Sequence, residues 1–81
     1  MSRTALITGS SRGIGAAAAR RLAGDGWDVI INYHESEDRA RALADELHAR
    51  AIRCDVRDPA QVDEMFRRIG HVDLLDRKSV V

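Results

Sequence analysis

Thr8-Gly9-Ser10-Ser11-Arg12-Gly13-Ile14-Gly15 directly follows the apolar run Ala5-Leu6-Ile7 and directly precedes the alanine-rich segment Ala16 to Leu22. The order is strand, glycine turn, helix. A sharp turn from a buried strand into a helix leaves the helix's first backbone N–H groups without intrahelical partners, where the helix dipole also favours negative charge. A phosphate fits there. Gly9 gives the turn a backbone freedom that a side chain forbids, Gly13 lets backbone approach a ligand, and Gly15 lets helix pack closely on strand. A glycine triplet alone is weak evidence, and its bland alternative is a tight turn with no ligand. Here a second β-rich run follows roughly 20 residues on, the context a dinucleotide site requires. The spacing is Gly-x-x-x-Gly-x-Gly rather than the commoner Gly-x-Gly-x-x-Gly, and no Gly-Lys-Ser/Thr occurs anywhere, which excludes a Walker loop.

Outward from the turn, Thr4 to Thr8 reads as a nearly continuous apolar strand, covered on both faces and central in its sheet. The first helix is expected over Ile14 to Ala23, with Arg20 and Arg21 near its negative end and Gly24 and Gly26 as stops. Asp28 to Tyr33 is β-branched and apolar and completes a βαβ unit. Ser36 can cap a second helix over Glu37 to Ala49, in which Ala40, Leu43, Ala44 and Leu47 recur at i, i+3, i+4 and i+7. Its Arg39, Arg41, Asp45 and Glu46 read as a solvated face. Ala51 to Asp55 is assigned as a third strand mainly by its position between helices. Asp58-Pro59-Ala60-Gln61 is a helix start with a cap, a pre-organised proline and a capping-box variant. Val62, Met65, Phe66 and Ile69 form that helix's buried stripe, Gly70 ends it, and Val72 to Leu75 begins a fourth strand. This alternation predicts an α/β fold, the N-terminal half of a Rossmann doubly wound parallel sheet over residues 1–75. The first two helices share one face and the third lies on the other, with ligand at the carboxyl ends of the strands.

An 81-residue chain makes at most one small domain and withdraws a modest share of its surface from water, so its stability is marginal. The formal net charge is zero, and without a basic cluster nucleic-acid binding has no electrostatic footprint. No run approaches a membrane span and no signal peptide is evident, so the expected compartment is the cytoplasm, with no membrane partner. The single Cys54 cannot form an internal disulfide and reads as packing. His34, His48 and His71 are scattered without metal-ligand spacing, so no metal site is expected.

Thr8 to Gly15 resembles the Thr-Gly-x-x-x-Gly-x-Gly pattern of the short-chain dehydrogenase/reductase (SDR) family. Ala5 to Gly15 is especially similar to its 3-oxoacyl-carrier-protein reductase branch. The resemblance runs from Arg3 to about Leu75 and includes Cys54-Asp55-Val56-Arg57-Asp58-Pro59 and Val72-Asp73-Leu74-Leu75. It implies an oxidoreductase transferring hydride between NADPH and a small carbonyl or acyl-thioester substrate, in a homo-oligomeric full-length parent. It implies cofactor contacts from Thr8, Gly9, Ser11, Arg12, Gly13, Ile14 and Gly15 in the turn. Asn32, Tyr33, His34 and Ser36 would lie near the ribose, and Asp55 and Val56 would border the adenine. Tyr33 stands where the family's NAD enzymes carry an acid, and Arg12 where NADP-preferring relatives carry a basic residue, which favours NADP(H) over NAD(H). Glu35 and Glu37 argue the other way. Without a ligand, Arg12 would be an exposed turn arginine, Tyr33 a packed strand-end aromatic and Asp55 a turn former.

The family's proton donor, the tyrosine of Tyr-x-x-x-Lys, lies beyond the fourth strand together with its serine and asparagine helpers. Here the only tyrosine, Tyr33, is followed four residues later by Glu37, and the only lysine, Lys78, has no tyrosine at that spacing. No catalytic residue is therefore assigned. Two readings stand: the N-terminal part of a reductase, itself inactive, or a genuine small nucleotide-binding or interaction module. The tail bears on the choice. Asp76-Arg77-Lys78-Ser79-Val80-Val81 departs from the family pattern. One set of codons for it, GAT-CGG-AAG-AGC-GTC-GTG, reproduces a widely used short-read sequencing adapter whose next triplet is TAG, a stop. Residues 76–81 are thus expected to be a non-native tail, the alternative being a divergent native C-terminus. Amplification of the locus across the Leu75 codon is expected to show continuing family sequence. An in-frame Asp-Arg-Lys-Ser-Val-Val followed by a stop in the genome would contradict this and revive the small module.

Overall fold

Consecutive apolar residues of a strand point to alternate faces, so burying all of them requires a layer on each side. In the computed structural model, which describes residues 3–8, 13–35 and 37–77, Ala5, Leu6 and Ile7 are each 0 % exposed. The elements in chain order are β1 (Thr4–Thr8), α1 (Gly13–Gly24), β2 (Asp28–Tyr33), α2 (Glu37–Leu47), β3 (Arg50–Arg53), α3 (Pro59–Ile69) and β4 (Leu74–Arg77). All pairings are parallel, in the order β3-β2-β1-β4. This is the α/β arrangement expected of the N-terminal half of a Rossmann fold.

Both layers are present. Ile7, Val29, Ile31 and Tyr33 pack against Ala16 and Ala19 of α1 and Ala40, Leu43 and Ala44 of α2. Leu6, Ile30 and Ile52 turn the other way, onto Met65 of α3 and the half-buried Val62, Phe66 and Ile69. Truncating Leu6, Ile7, Ile30 or Ile31, each fully buried, to alanine costs about 2–5 kcal/mol, a large fraction of what a domain this small can hold. Among the described residues no helix is long and apolar enough to cross a membrane.

The ends of the elements differ from the sequence expectation in instructive ways. Helix α1 closes with Gly26 at φ 91°. The Gly26 N–H donates to Ala23 O at 3.1 Å and the Trp27 N–H to Leu22 O at 3.0 Å. The same pair of bonds closes α2 at Leu47 rather than Ala49. There the His48 N–H reaches Asp45 O at 3.4 Å and the Ala49 N–H reaches Ala44 O at 2.8 Å, with His48 at φ 54°. Strand β3 stops at Arg53, not Asp55, because the Asp55 N–H turns away to the side chain of Gln61 at 2.9 Å. Strand β4 starts at Leu74, not Val72: Val72 packs beneath α3, and Asp73 accepts the Thr4 N–H on Oδ2 at 2.8 Å. It then runs across residue 75 to Arg77, with Asp76 paired to Ile7 and Arg77 to Thr8.

A β-carbon in the left-handed region is strained, and His48 carries one where α1 uses glycine. His48→Gly is therefore expected to stabilise the chain by about 0.5–1 kcal/mol after the entropic cost of glycine is deducted. The readout is a higher urea midpoint; an unchanged or lower one contradicts the helix-end geometry.

Candidate functional site

The carboxyl ends of β1, β2 and β3 lie along one edge of the sheet, and β1 is flanked there by β4, the strand that returns from the far side of β3. Such a reversal opens a crevice above the strand ends. A groove of about 110 Å³ lies there, lined by Leu6, Thr8, Val56, Val62, Met65, Phe66 and Leu75. That is smaller than the roughly 300 Å³ lower end of complete small-molecule pockets.

The turn residues Gly9, Ser11 and Arg12, and Ser36, lie outside the described residues, as do Lys78 and Ser79. Gly13 and Ile14 open α1, and Gly15 is buried in its first turn. Thr8 is 8 % exposed at the end of β1, on the groove wall. Tyr33 is buried in the cluster beneath α1 and α2, whereas His34 is half-exposed, with Nε2 3.8 Å from Asp55 Oδ2. Val56 is exposed and also lines the groove. The structure thus gathers Thr8 and Val56 on one surface and sets His34 beside Asp55. Asn32 is held below, its carboxamide nitrogen donating to Ile52 O at 3.3 Å and Cys54 O at 3.1 Å.

Among the described residues of this edge, the loop after β3 is the one most densely held by side-chain hydrogen bonds. Asp55 Oδ1 accepts from the Arg57 N–H at 2.9 Å and from Arg57 Nε at 3.0 Å, and Oδ2 accepts from Arg57 Nη2 at 3.1 Å. Arg57 thereby holds the Asp55 carboxyl down to about 2, with burial opposing and the nearby His34 assisting. A carboxylate this acidic stays ionised, and retains an acceptor for a donor-bearing ligand, throughout the physiological range. Its contribution to folding is present above the ordinary carboxylate pKa of ~3.9 and is lost as pH falls from there toward the folded-state value. Asp58 caps α3 by accepting the Ala60 N–H on Oδ1 at 3.0 Å. Gln61 departs from the usual capping box: its Nε2 donates to Asp58 Oδ2 at 3.0 Å and its Oε1 accepts the Asp55 N–H. The sequence reading missed Arg57 and Gln61 as organisers of this loop, although an Asp-x-Arg spacing was there to be noticed. Cys54 is buried, and burial first, then Asp55 and Asp58, raise its thiol pKa, which suits packing rather than nucleophilic chemistry. Among the described residues no group of three or more His, Cys, Asp or Glu could hold a metal ion.

The short chain dehydrogenase family matches residues 3–77. The chain is 39% identical to a 3-oxoacyl-[acyl-carrier-protein] reductase, FabG, of Staphylococcus epidermidis, over 93% of its own length and 34% of that protein's. It is 44% identical to a cyclic-di-GMP-binding biofilm dispersal mediator protein of Escherichia coli, over 90% of the chain and 31% of the relative. Among solved structures, BdcA in complex with NADPH superposes with a TM-score of 0.88 at 40% identity, covering 98% of this chain and 32% of that one. A blue fluorescent protein from a metagenomic library, also in complex with NADPH, gives 0.76 at 44% identity, covering 90% and 34%. The chain spans about a third of the length of the curated relatives it matches.

The Asp55–Arg57 geometry is directly testable. Arg57→Ala is expected to raise the Asp55 pKa from about 2 toward the ordinary carboxylate value, followed by NMR titration of the side-chain carboxyl carbon. An unmoved titration would show that Arg57 does not hold this group.

Proposed function

The chain belongs to the short-chain dehydrogenase family, and on that premise we propose that it is the NADP(H)-binding part of an oxidoreductase acting on a carbonyl or alcohol. The observation that carries this reading is a convergence. The strand that feeds the glycine turn and the loop that follows β3 meet on the groove outside the carboxyl ends of the sheet, through Thr8 and Val56.

The donor set suits a dinucleotide. The N–H groups opening α1 at Gly13 to Gly15, with Thr8, Gly9, Ser11 and Arg12 before them, would receive the pyrophosphate at a helix N-terminus. At the end of β2, Tyr33 and His34 bring no carboxylate against a 2′-phosphate, and Arg12 and Ser36 would meet it. Of the two acids that argue for NAD, Glu37 has its carboxylate engaged with Arg41 Nε at 2.7 Å, which weakens its share of that objection, while Glu35 still argues the other way. Asp55 would accept from the adenine amino group and Val56 would border the ring. When bound, the nicotinamide supplies or accepts the hydride; this chain's own residues bind and orient the adenosine half. Relatives whose solved complexes hold NADPH support the cofactor assignment, and the FabG relative supports a 3-oxoacyl thioester as substrate class.

The 81-residue chain itself is proposed to be inactive, since no Tyr-x-x-x-Lys occurs in it, and residues 76–81 are proposed to be adapter-derived. A second reading, a nucleotide-binding module without catalysis, draws on the relative named as a cyclic-di-GMP-binding mediator.

Calorimetry on the chain should find NADP+ bound more tightly than NAD+. Arg12→Asp should lower NADP+ affinity on the order of tenfold, about 1.4 kcal/mol, with a smaller loss for NAD+. Equal losses would remove Arg12 from phosphate recognition, and NADPH-dependent ketone reduction by the purified chain would overturn the assignment of inactivity.

A further inference from the structure

A buried carboxamide in a strand is costly unless its donors and acceptor are used, and a β-branched side chain fits such a position without that cost. Asn32, in β2, is 3 % exposed. It lies under α3, with Nδ2 3.8 Å from Met65 Sδ. Its two N–H donors go to consecutive same-side carbonyls of the neighbouring strand's end, Ile52 and Cys54. Cys54 is where the chain leaves the sheet. Its N–H still donates to Tyr33 O at 2.8 Å, and its carbonyl is held by Asn32, so the exit is pinned on both sides of one residue. The next residue is Asp55, whose N–H is fixed by Gln61 and whose carboxylate is fixed by Arg57.

We propose that Asn32 is a positioning residue for base recognition: by pinning the Ile52 and Cys54 carbonyls it sets Asp55 where its carboxylate meets the purine amino group, without itself touching the cofactor. The inference rests on the NADP(H) reading above. It gives a buried polar side chain a task that burial alone does not explain. Without the Asn32 donors the Cys54 carbonyl loses its buried partner, and the loop carrying Asp55 turns to find water. A displacement of about 1 Å at a recognition group is enough to lose its selectivity.

The test uses a base-specific readout that a loss of stability alone would not move. Adenine presents an amino group to Asp55, whereas hypoxanthine presents a carbonyl oxygen that a carboxylate repels. NADP+ and nicotinamide hypoxanthine dinucleotide phosphate are titrated by calorimetry into the wild-type chain and into Asn32→Leu, which has nearly the same shape and removes the donors without adding a charge. The wild type is expected to prefer adenine on the order of tenfold, and the variant to fall to about twofold or less, with its affinity for the hypoxanthine cofactor little changed. Should Asn32→Leu not fold, Asn32→Ser, which retains one donor, goes through the same comparison and is expected to lose part of the preference. An unchanged adenine preference in a folded variant overturns the proposal and leaves Asn32 a purely structural residue. A wild type that binds NADP+ without preferring adenine overturns it through Asp55, and a wild type that binds neither cofactor rejects the NADP(H) reading itself.

Discussion

β1 is paired along both edges and covered on both faces, and the arrangement of the remaining elements follows from satisfying that demand. Its backbone is bonded to β2 on one side and β4 on the other, while Leu6 and Ile7 bury themselves in opposite layers. The first two helices supply one layer. The chain must then pass beyond β2 to β3, build the opposite layer with α3, and return across the sheet to reach the free edge of β1. That return is guided by Asp73, whose N–H donates to Thr4 O and whose carboxylate takes the Thr4 N–H and contacts His71 Nε2 at 2.8 Å. These contacts hold the Asp73 carboxyl below the ordinary range. The reversal of strand order they secure is also what opens the groove beside Thr8.

Among the described residues of that edge, electrostatics and geometry are set by short local contacts, and the 81 residues together carry no net formal charge. Arg57 neutralises Asp55 and fixes its plane, Gln61 joins the loop to the cap of α3, and Arg53 Nε reaches the His34 carbonyl at 3.3 Å. The last contact ties the end of β3 to the residue that follows β2. A ligand laid across these strand ends would meet a surface whose polar groups are already oriented, which lowers the ordering cost of binding.

The architecture was legible because the pattern of apolar residues and the breakers agree. Ala40, Leu43 and Ala44 are the buried residues of α2 as their spacing predicts, and Gly26 closes α1 where a glycine stop was expected. The end of α2 was not legible, since the closing geometry is the same but His48 stands where a glycine would have marked the stop. The end of β3 was hidden for a related reason: Cys54 keeps one ladder bond, and only the side chain of Gln61, distant in the pattern, draws the Asp55 N–H away. Asn32 shows the limit for site residues. Its neighbourhood was identifiable from the resemblance, but the direction of its carboxamide depends on β3 carbonyls twenty or more positions along the chain.

The central claim is that the glycine turn at the end of β1 and the loop after β3 form one dinucleotide surface. An amide-resolved NMR titration of the chain with NADP+ tests it most directly. The account predicts saturable shifts confined to Gly9 to Gly15, the end of β2 and the Asp55–Val56 amides, with the outer face of α2 silent. Shifts scattered over α2 and α3, or none at the glycine turn at saturating NADP+, would contradict it.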